Sequence, residues 1–444
     1  MTRLFGTDGV RGVANTELSC QVAFRLGQAA VVFLGNNILV GKDTRLSGDM
    51  LEAAVIAGVM SRGGTALQAG IIPTPGVALL TRQMHCDGGI VISASHNPPE
   101  YNGIKFFDAQ GFKLSVSTEH AIEEFVIDES DEEAALPQGD AVGVAIPVEN
   151  ACELYIDHAV ASVVDAGISF KGIKVALDVG HGASALTSAE ALRRLGADVE
   201  VINEDFDGTD INVQCGSTHL VPLQELVAQT GADVGIAHDG DADRVMLVDA
   251  EGNEIDGDVV EAVCALDLKQ SGKLPCLTVV STVMCNLGFA HAMRDAGIEV
   301  VQTQVGDRYV LEAMREGGYV LGGEQSGHMI FLEHNSTGDG LVTACQFLAA
   351  CQRLGKTVQQ AAALMPRFPQ KLINVTVADK HGLPDCAPVW DAVSAAEAEL
   401  GEDGRVLVRT SGTEPLVRVM VEAATEEHAA EVAKRIAAVV ASEL

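Results

Sequence analysis

The sequence has few basic residues, and this shortage limits the partners that the protein can bind. Lys and Arg number 29 against 62 Asp and Glu, which gives a formal charge of −33 at pH 7. Because such a chain repels the phosphates of nucleic acids and anionic lipids, we expect neither as a partner. An anionic small molecule would need locally clustered cations, so Arg and Lys residues inside glycine-rich loops are of particular interest.

Long apolar runs and closely paired cysteines are also absent. No apolar stretch approaches the roughly 18 residues that span a membrane, and the N-terminal MTRLFGTDGVRG lacks the apolar core of a secretion signal. The ten cysteines include no Cys-x-x-Cys pair, and Cys264, Cys345 and Cys351 lie in apolar, helix-like runs. We therefore expect reduced thiols, a cytoplasmic location and no membrane contact.

Aromatic residues make up only 4% of the chain, whereas glycines number 46 and hydrophobic residues reach 47%. This composition excludes disorder and suits α/β layers with many strand-to-helix turns. Short β-branched runs alternate with alanine-rich stretches, as in NNILVGKD, MLEAAVIAGVMSRGG and TALQAGI. The alternation predicts βα units with helices on a largely parallel sheet.

The βα pattern restarts along the 444 residues, which predicts several domains. We place them at residues 1–148, 149–248, 249–363 and 364–444. The last segment follows the proline-containing MPRFPQK and has the order strand, helix, strand, strand, helix. This order suits a smaller α+β domain with antiparallel strands.

The stretch VISASHNPPEYNGIKFF, residues 91–107, places a Ser-His pair directly after a predicted buried strand. Ligands of α/β sheets usually bind at the carboxyl ends of strands, so Ser95 is a candidate nucleophile. Alone, the same residues also suit an ordinary turn that Ser95 or Asn97 caps before Pro98. Acyl transfer is disfavoured, because the stretch is not a Gly-x-Ser-x-Gly elbow and no second motif supplies a triad.

Three aspartates alternate in the stretch ADVGIAHDGDADRVMLVDAEG, residues 232–252. Asp239, Asp241 and Asp243 lie between two predicted strands, and carboxylates so spaced can converge on one hard cation such as Mg²⁺. A calcium loop counted from Asp239 would need Gly at its sixth position and Glu at its twelfth, where Arg244 and Ala250 stand. The remaining alternative is a solvated acidic turn.

A third loop, GYVLGGEQSGHMIF at residues 318–331, groups Glu324, Gln325, Ser326 and His328 after two glycines. These donors and acceptors suit a polyhydroxylated ligand, although a simple hairpin turn remains possible.

A fourth loop lies between two predicted strands in RVLVRTSGTEPLVRVMVEA, residues 405–423. The hydroxyls and backbone N–H groups of Ser411, Gly412 and Thr413 can bind an anion, and Arg409 and Arg418 can add charge-assisted contacts. In so acidic a chain this arrangement indicates phosphate. An ordinary hairpin with exposed arginines is the alternative.

Residues 180–185, GHGASA, match Gly-x-Gly-x-x-Ala after the predicted strand IKVALDV, and Asp205 follows at a distance suited to a ribose contact. A nicotinamide enzyme is therefore an alternative. It leaves the three aspartates and the arginine-flanked loop unexplained.

Taken together, the loops resemble the α-D-phosphohexomutase superfamily over nearly the whole chain. The resemblance rests on FGTDGVRG at 5–12, SASHNP at 93–98, DGDADR at 239–244, GEQSG at 323–327 and RTSGTEP at 409–415. Gln325, CGSTH at 215–219 and VGDRYV at 305–310 are similar to the amino-sugar branch.

The resemblance implies interconversion of glucosamine 6-phosphate and glucosamine 1-phosphate on the route to UDP-N-acetylglucosamine. It implies three αβα domains and a smaller C-terminal domain around a central cleft, one Mg²⁺, a glucosamine or glucose 1,6-bisphosphate, and a homodimer. By position it implies a phosphoserine at Ser95, which with Asp239, Asp241 and Asp243 would bind the metal. Further catalytic candidates are His96, Lys105 and Arg244; substrate-binding candidates are Arg11, Glu324, Ser326, His328, Arg409, Ser411, Gly412, Thr413 and Arg418. A phosphoglucomutase or phosphomannomutase, or a non-catalytic sugar-phosphate binding protein, remains an alternative.

Overall fold

The computed structural model describes residues 4–6, 8–128, 136–164, 166–411 and 415–444. Its helices are α1 Cys20–Phe33, α2 Gly48–Ser61, α3 Thr74–Gln83, α4 Val116–Ile127, α5 Ala151–Val164, α6 Ser188–Arg194, α7 Val221–Thr230, α8 Gly257–Gln270, α9 Leu287–Asp295, α10 Asp307–Gly317, α11 Gly340–Arg353, α12 Val358–Ala362, α13 Ala387–Leu400 and α14 Glu426–Glu443. Its strands are β1 Val10–Val13, β2 Asn37–Lys42, β3 Thr65–Ile71, β4 Gly88–Ile92, β5 Tyr101–Asp108, β6 Val144–Pro147, β7 Lys174–Asp178, β8 Asp198–Ile202, β9 Val234–His238, β10 Val245–Asp249, β11 Glu254–Ile255, β12 Thr278–Thr282, β13 Glu299–Thr303, β14 Leu321–Gly323, β15 Met329–Phe331, β16 Gln370–Thr376, β17 Arg405–Thr410 and β18 Leu416–Glu422.

The chain forms two compact units, one of Met1–Met284 with Ile298–Ala363 and one of Cys285–Gly297 with Leu364–Leu444. The first unit has three sheets, with strand orders β1-β5-β4-β2-β3-β6, β11-β10-β9-β7-β8 and β13-β12-β14-β15. Parallel pairs form the body of each sheet, as in β4-β2-β3, β9-β7-β8 and β13-β12-β14. Antiparallel strands extend one side of each sheet. The predicted α/β class with mixed, largely parallel sheets is confirmed.

The second unit contains the antiparallel sheet β16-β18-β17 together with α13 and α14. Val393 of α13 and Ile436 of α14 contribute to a core that includes Val419 of the central strand. Helix α14 begins after Thr425, whose side chain accepts the His428 backbone N–H, and two glutamates follow in its first turn. The predicted smaller α+β domain is thereby confirmed.

Three loops of the first unit follow buried strands at their carboxyl ends. Strand β4 is buried throughout and leads into residues 93–100. Strands β9 and β10 are antiparallel neighbours on either side of residues 239–244, and β14 and β15 flank residues 324–328 in the same way. In the described residues, no helix is long and apolar enough to cross a membrane.

Candidate active site

The structure brings Ser95 to the aspartate loop, although the two are far apart in the chain. Ser95 is buried, and its Oγ donates a hydrogen bond to Asp239 Oδ2 at 2.5 Å. The serine adopts a left-handed backbone conformation, with φ of 53°. Because a non-glycine residue seldom takes this conformation, the surrounding contacts must hold it there.

Asp239, Asp241 and Asp243 are all buried, and one carboxylate oxygen from each lies within 4.8 Å of the other two. Asp239 Oδ1 accepts the backbone N–H of Arg244 at 3.2 Å. Thr74 Oγ1 donates to Asp241 Oδ2 at 2.7 Å. The predicted convergence of the three carboxylates is thus present, and a solvated acidic turn is excluded by their burial.

The donor set of this cluster fits a hard cation. Asp241 Oδ1 and Asp243 Oδ1 are buried, with no hydrogen-bond partner among the described residues, and a buried carboxylate oxygen without a partner is costly. Burial, followed by the charges of Asp243 and Asp241, raises the pKa of Asp239 well above its usual range. A bound cation would offset both the burial and the mutual repulsion of these carboxylates, and oxygen ligands are those that Mg²⁺ binds.

Lys105 provides a buried cation beside the aspartates. Its Nζ lies 2.9 Å from Asp241 Oδ2, 3.4 Å from Asp243 Oδ2 and 3.3 Å from Asp8 Oδ2. Burial alone would lower the pKa of Lys105, but the carboxylates of Asp241, Asp8 and Asp243 raise it above its ordinary value. The side chain therefore remains an ammonium group.

His96, Arg244 and Arg11 are partly buried, unlike the buried aspartates. His96 Nδ1 is 3.4 Å from Ser95 Oγ. Burial first, then the charges of Arg244 and Arg11, lower the pKa of His96 to about 4, so its ring is neutral near pH 7. Arg244 Nε lies 3.8 Å from Asp243 Oδ1, and Arg11 pairs with Asp8.

The 323–327 loop lies against the start of β10. The Val245 N–H donates to Gly327 O at 3.1 Å, and Gly327 has φ of 88° with no room for a Cβ beside Val245 O. Ser326 is exposed, while Glu324 is half-buried and accepts the Gly306 N–H through Oε1 at 3.0 Å. Both polar side chains are therefore placed near the aspartate loop.

His328 lies among the aspartates rather than beside Ser326. It is buried, with Nδ1 3.7 Å from Asp243 Oδ2. Its Nε2 accepts the Gly338 N–H at 3.2 Å. Both ring nitrogens thus face protein groups in this structure, and the assignment of His328 to substrate binding stays a prediction.

The fourth predicted loop belongs to the second unit. Arg409 and Arg418 are directly opposite one another in the β17-β18 ladder. Burial, followed by the charge of Arg418, lowers the pKa of Arg409. Ser411 is buried, and its carbonyl accepts Lys380 Nζ at 2.8 Å; Gly412 and Thr413 lie outside the described residues. Three cations therefore gather at this loop, as a phosphate site requires.

The GHGASA stretch has a packing role in the structure. A Cβ at Gly182 would lie 2.5 Å from Gly240 O, so this glycine lets the loop approach the aspartate loop. The turn continues into a short 3₁₀ segment, Ala183–Leu186, and then into α6. Close packing explains the glycines without a dinucleotide.

Several site residues were missed by the sequence reasoning. Asp8 and Asp307 both accept hydrogen bonds from Lys113, whose Nζ is 2.7 Å from Asp8 Oδ1. Asp43 and Arg45 follow β2 and contact the serine loop. The carboxyl end of β2 was the available signal, because the same rule had already selected Ser95 and the aspartates.

Models of the phosphoglucomutase/phosphomannomutase family match most of the chain. Alpha/beta/alpha domain I matches residues 2–133, domain II residues 153–252, domain III residues 256–368 and the C-terminal domain residues 372–439. Two similar curated relatives are named phosphoglucosamine mutase. The one from Clostridium novyi is 49% identical and covers 98% of both chains, and the one from Nocardioides sp. is 49% identical and covers 100% of both.

Solved structures with a similar fold include a phosphoglucomutase/phosphomannomutase family protein from Burkholderia thailandensis. It has a TM-score of 0.82 and 23% identity, covering 100% of this chain and 98% of its own. The N-acetylphosphoglucosamine mutase of Aspergillus fumigatus, in complex with GlcNAc-6P and magnesium, has a TM-score of 0.71 and 18% identity, covering 99% and 96%. At these identities the similarity shows the fold alone.

Proposed function

The chain belongs to the phosphoglucomutase/phosphomannomutase family, and we propose that it has phosphoglucosamine mutase activity, an intramolecular phosphotransfer between glucosamine 6-phosphate and glucosamine 1-phosphate. The names of the curated relatives favour this activity over a phosphoglucomutase or phosphomannomutase. The observation that supports the chemistry is the Ser95 hydroxyl on Asp239, inside a carboxylate cluster able to hold a metal.

Ser95 would act as a phosphoserine. In the first half-reaction the bond between phosphorus and Ser95 Oγ breaks, a bond between phosphorus and sugar O1 forms, and the proton that O1 loses is balanced by one that Ser95 Oγ takes up. The resulting 1,6-bisphosphate turns over, the bond between its 6-phosphorus and O6 breaks, and a bond to Ser95 Oγ forms. Ser95 Oγ gives up a proton in this step, and O6 takes one up. Because the second half-reaction transfers a phosphoryl group from a bisphosphate to Ser95, a glucosamine or glucose 1,6-bisphosphate could also load an unphosphorylated enzyme.

Asp239, Asp241 and Asp243 would hold one Mg²⁺ together with the phosphate on Ser95. When bound, the ion would supply positive charge to the transferring phosphoryl oxygens. Arg244 lies beside Asp243, and its guanidinium can bind the phosphoryl group.

A base must take the proton from the accepting sugar hydroxyl. Of the candidate residues, His96 fits this role best, because the contacts of Lys105 and His328 argue against both of them. The Lys105 ammonium is engaged by three carboxylates, so it stabilises charge rather than accepting a proton. The two ring nitrogens of His328 face Asp243 and the Gly338 N–H. His96 is neutral and lies beside Ser95 Oγ, where general base catalysis is worth about 10²–10⁴-fold.

We assign sugar hydroxyls to Glu324 and Ser326, and the non-reacting phosphate to the loop with Arg409, Ser411 and Arg418. A site that binds a phosphate at either end of the sugar suits a substrate that binds in two orientations. Arg11 would add a cation near the reacting phosphate. Gly412 and Thr413 keep their assignment from the sequence.

We also propose domain limits at residues 148, 248 and 363. A homodimer is proposed from the family resemblance. We propose a cytoplasmic location because all ten cysteines are free thiols.

An intact-mass measurement tests the covalent scheme. The purified protein should carry about 80 Da of extra mass, removable by incubation with the sugar phosphate. Ser95→Ala should lack both this mass and turnover while it remains folded. Ser93→Ala is the matched variant and should keep the phosphate on Ser95, although its turnover should fall because Ser93 Oγ accepts the Ser95 N–H. Turnover by Ser95→Ala at a rate comparable to that of the wild-type protein would refute the scheme. If the wild-type protein turned over glucose or mannose phosphates faster than glucosamine phosphates, phosphoglucomutase or phosphomannomutase activity would be favoured instead.

A further inference from the structure

Arg45 is a buried arginine that binds the serine loop without touching the Ser95 hydroxyl. Its Nη2 donates to Ser95 O at 2.9 Å and to Asn97 O at 2.7 Å. Its Nη1 donates to Pro98 O at 2.5 Å and to Tyr101 O at 2.9 Å. One guanidinium therefore binds four carbonyl oxygens of the loop that presents the nucleophile.

The fifth N–H of Arg45 connects the loop to a second set of contacts. Arg45 Nε donates to Asp43 Oδ2 at 2.9 Å, and the same oxygen accepts Ser93 Oγ–H at 2.6 Å. Ser93 Oγ in turn accepts the Ser95 backbone N–H at 2.9 Å. The backbone N–H and C=O of Ser95 are thus both held by one buried network.

Such a network is what the conformation of Ser95 requires. Its left-handed φ of 53° persists only where surrounding contacts fix it. Phosphoryl transfer depends on the position of Oγ relative to Asp239, and a displacement of about 1 Å can reduce a rate about 100-fold. Arg45 can therefore affect chemistry from a distance.

The same segment also contacts the loops that accompany the aspartates. Thr44 Oγ1 donates to His181 O at 2.6 Å, and the Leu46 N–H donates to Gly208 O at 3.1 Å. Asn212 Nδ2 donates to Ser95 O at 2.9 Å from this second side. Residues 43–46 thereby fix the serine loop relative to the part of the chain that carries Asp239.

We propose that Arg45 is a positioning residue for phosphoryl transfer, which holds residues 95–101 so that Ser95 Oγ stays on Asp239. This inference rests on the proposed function. Lysine cannot replace Arg45, because a single ammonium with three donors cannot reach four carbonyls and a carboxylate.

The main test is Arg45→Lys, with Arg353→Lys as the control because Arg353 binds Asp267 away from the site. We expect kcat to fall about 100-fold at an unchanged KM, in protein that is folded at the assay temperature and carries the Ser95 phosphate. Hydrogen exchange in residues 93–102 should become faster. The control should change neither quantity. An unchanged kcat and unchanged exchange in Arg45→Lys would overturn the inference.

A chemical rescue separates positioning from a purely structural role. In Arg45→Ala, added methylguanidinium should restore kcat; restoration of the melting temperature without kcat would overturn the inference. If these variants do not fold, Asn212→Ala tests the same inference, because it loses neutral contacts to two of the same carbonyls, Ser95 O and Asn97 O. It should lower kcat roughly threefold to tenfold, and an unchanged kcat would contradict the inference. If the wild-type protein showed no mutase activity while Arg45→Lys still exchanged faster, the proposed function would fail and the structural hold on Ser95 would stand.

Discussion

Lys105 Nζ lies 2.9 Å from Asp241 Oδ2, although the two residues are 136 positions apart in the chain. Their side chains are only 2% and 0% exposed, and the same ammonium also contacts Asp8 and Asp243. A buried cation among three carboxylates offsets part of their mutual repulsion. Lys105 therefore offsets part of the negative charge of the aspartate cluster, as a bound metal ion also would.

Removal of Lys105 should destabilise the protein. Lys105→Met leaves buried carboxylates without their cation, and loss of one partner from a buried ion pair typically costs about 3–5 kcal/mol. The melting temperature should fall clearly, and Mg²⁺ should raise it more in this variant than in the wild-type protein. The exposed Lys171→Met is the control and should change little. A wild-type melting curve for Lys105→Met would contradict the assignment.

Asp241→Asn should weaken metal dependence and rate together. Asp241 Oδ2 is occupied by Thr74 and Lys105, which leaves Oδ1 for a cation. Loss of this charge should raise the Mg²⁺ concentration for half-maximal activity at least about tenfold. Even mutation of residues that only hydrogen-bond to metal ligands typically lowers metal affinity or activity about 10–100-fold. Activity measured against Mg²⁺ concentration tests this, with the exposed Asp207→Asn as the control. An unchanged Mg²⁺ dependence would remove Asp241 from the ligand set.

The strands were predictable because their signals are local. The β-branched run before Ser95 forms β4, and the run before Asp239 forms β9. The rule that ligands bind at carboxyl ends of strands then selects the loops, without any knowledge of tertiary contacts.

The partners of those loops were not predictable in the same way. Asp8, Lys113 and Asp307 meet only in the folded chain, and single charged residues carry no periodicity that would indicate their neighbours. Arg45 offered a weak signal as an arginine in a turn of an acidic chain. Its binding to four carbonyls is a property of the folded loop, which no local pattern records.

Stability should fall in mild acid because of two histidines outside the aspartate cluster. Burial, before any charge effect, lowers the pKa of both His158 and His334 in the folded state. The unfolded chain, with a histidine pKa of about 6.5, then binds more protons as the pH falls below that value. Their contribution to stability is therefore complete above about pH 6.5 and is lost below it.

Melting temperatures at pH 7.5 and pH 5.5 test this relation. His158→Gln keeps a donor for the His334 carbonyl, which His158 Nε2 contacts at 3.0 Å, but cannot take up a proton. Its melting temperature should fall less in acid than that of wild type. The exposed His120→Gln should behave as wild type. Equal acid sensitivity of all three proteins would show that these histidines do not control it.

The arginine pair of the second unit should bind phosphate. Arg409 and Arg418 are cross-strand partners, and like charges directly opposite one another in a sheet repel. An anion between them relieves this repulsion, so inorganic phosphate should raise the melting temperature of wild type more than that of Arg418→Ala. Because a hydrogen bond to a charged group contributes about 1.5–3 kcal/mol, KM for the sugar phosphate should rise roughly tenfold to 100-fold in the variant while kcat changes less. Arg435→Ala, which alters an exposed pair with Glu399, should leave KM unchanged, and an unchanged KM in Arg418→Ala would place the phosphate elsewhere.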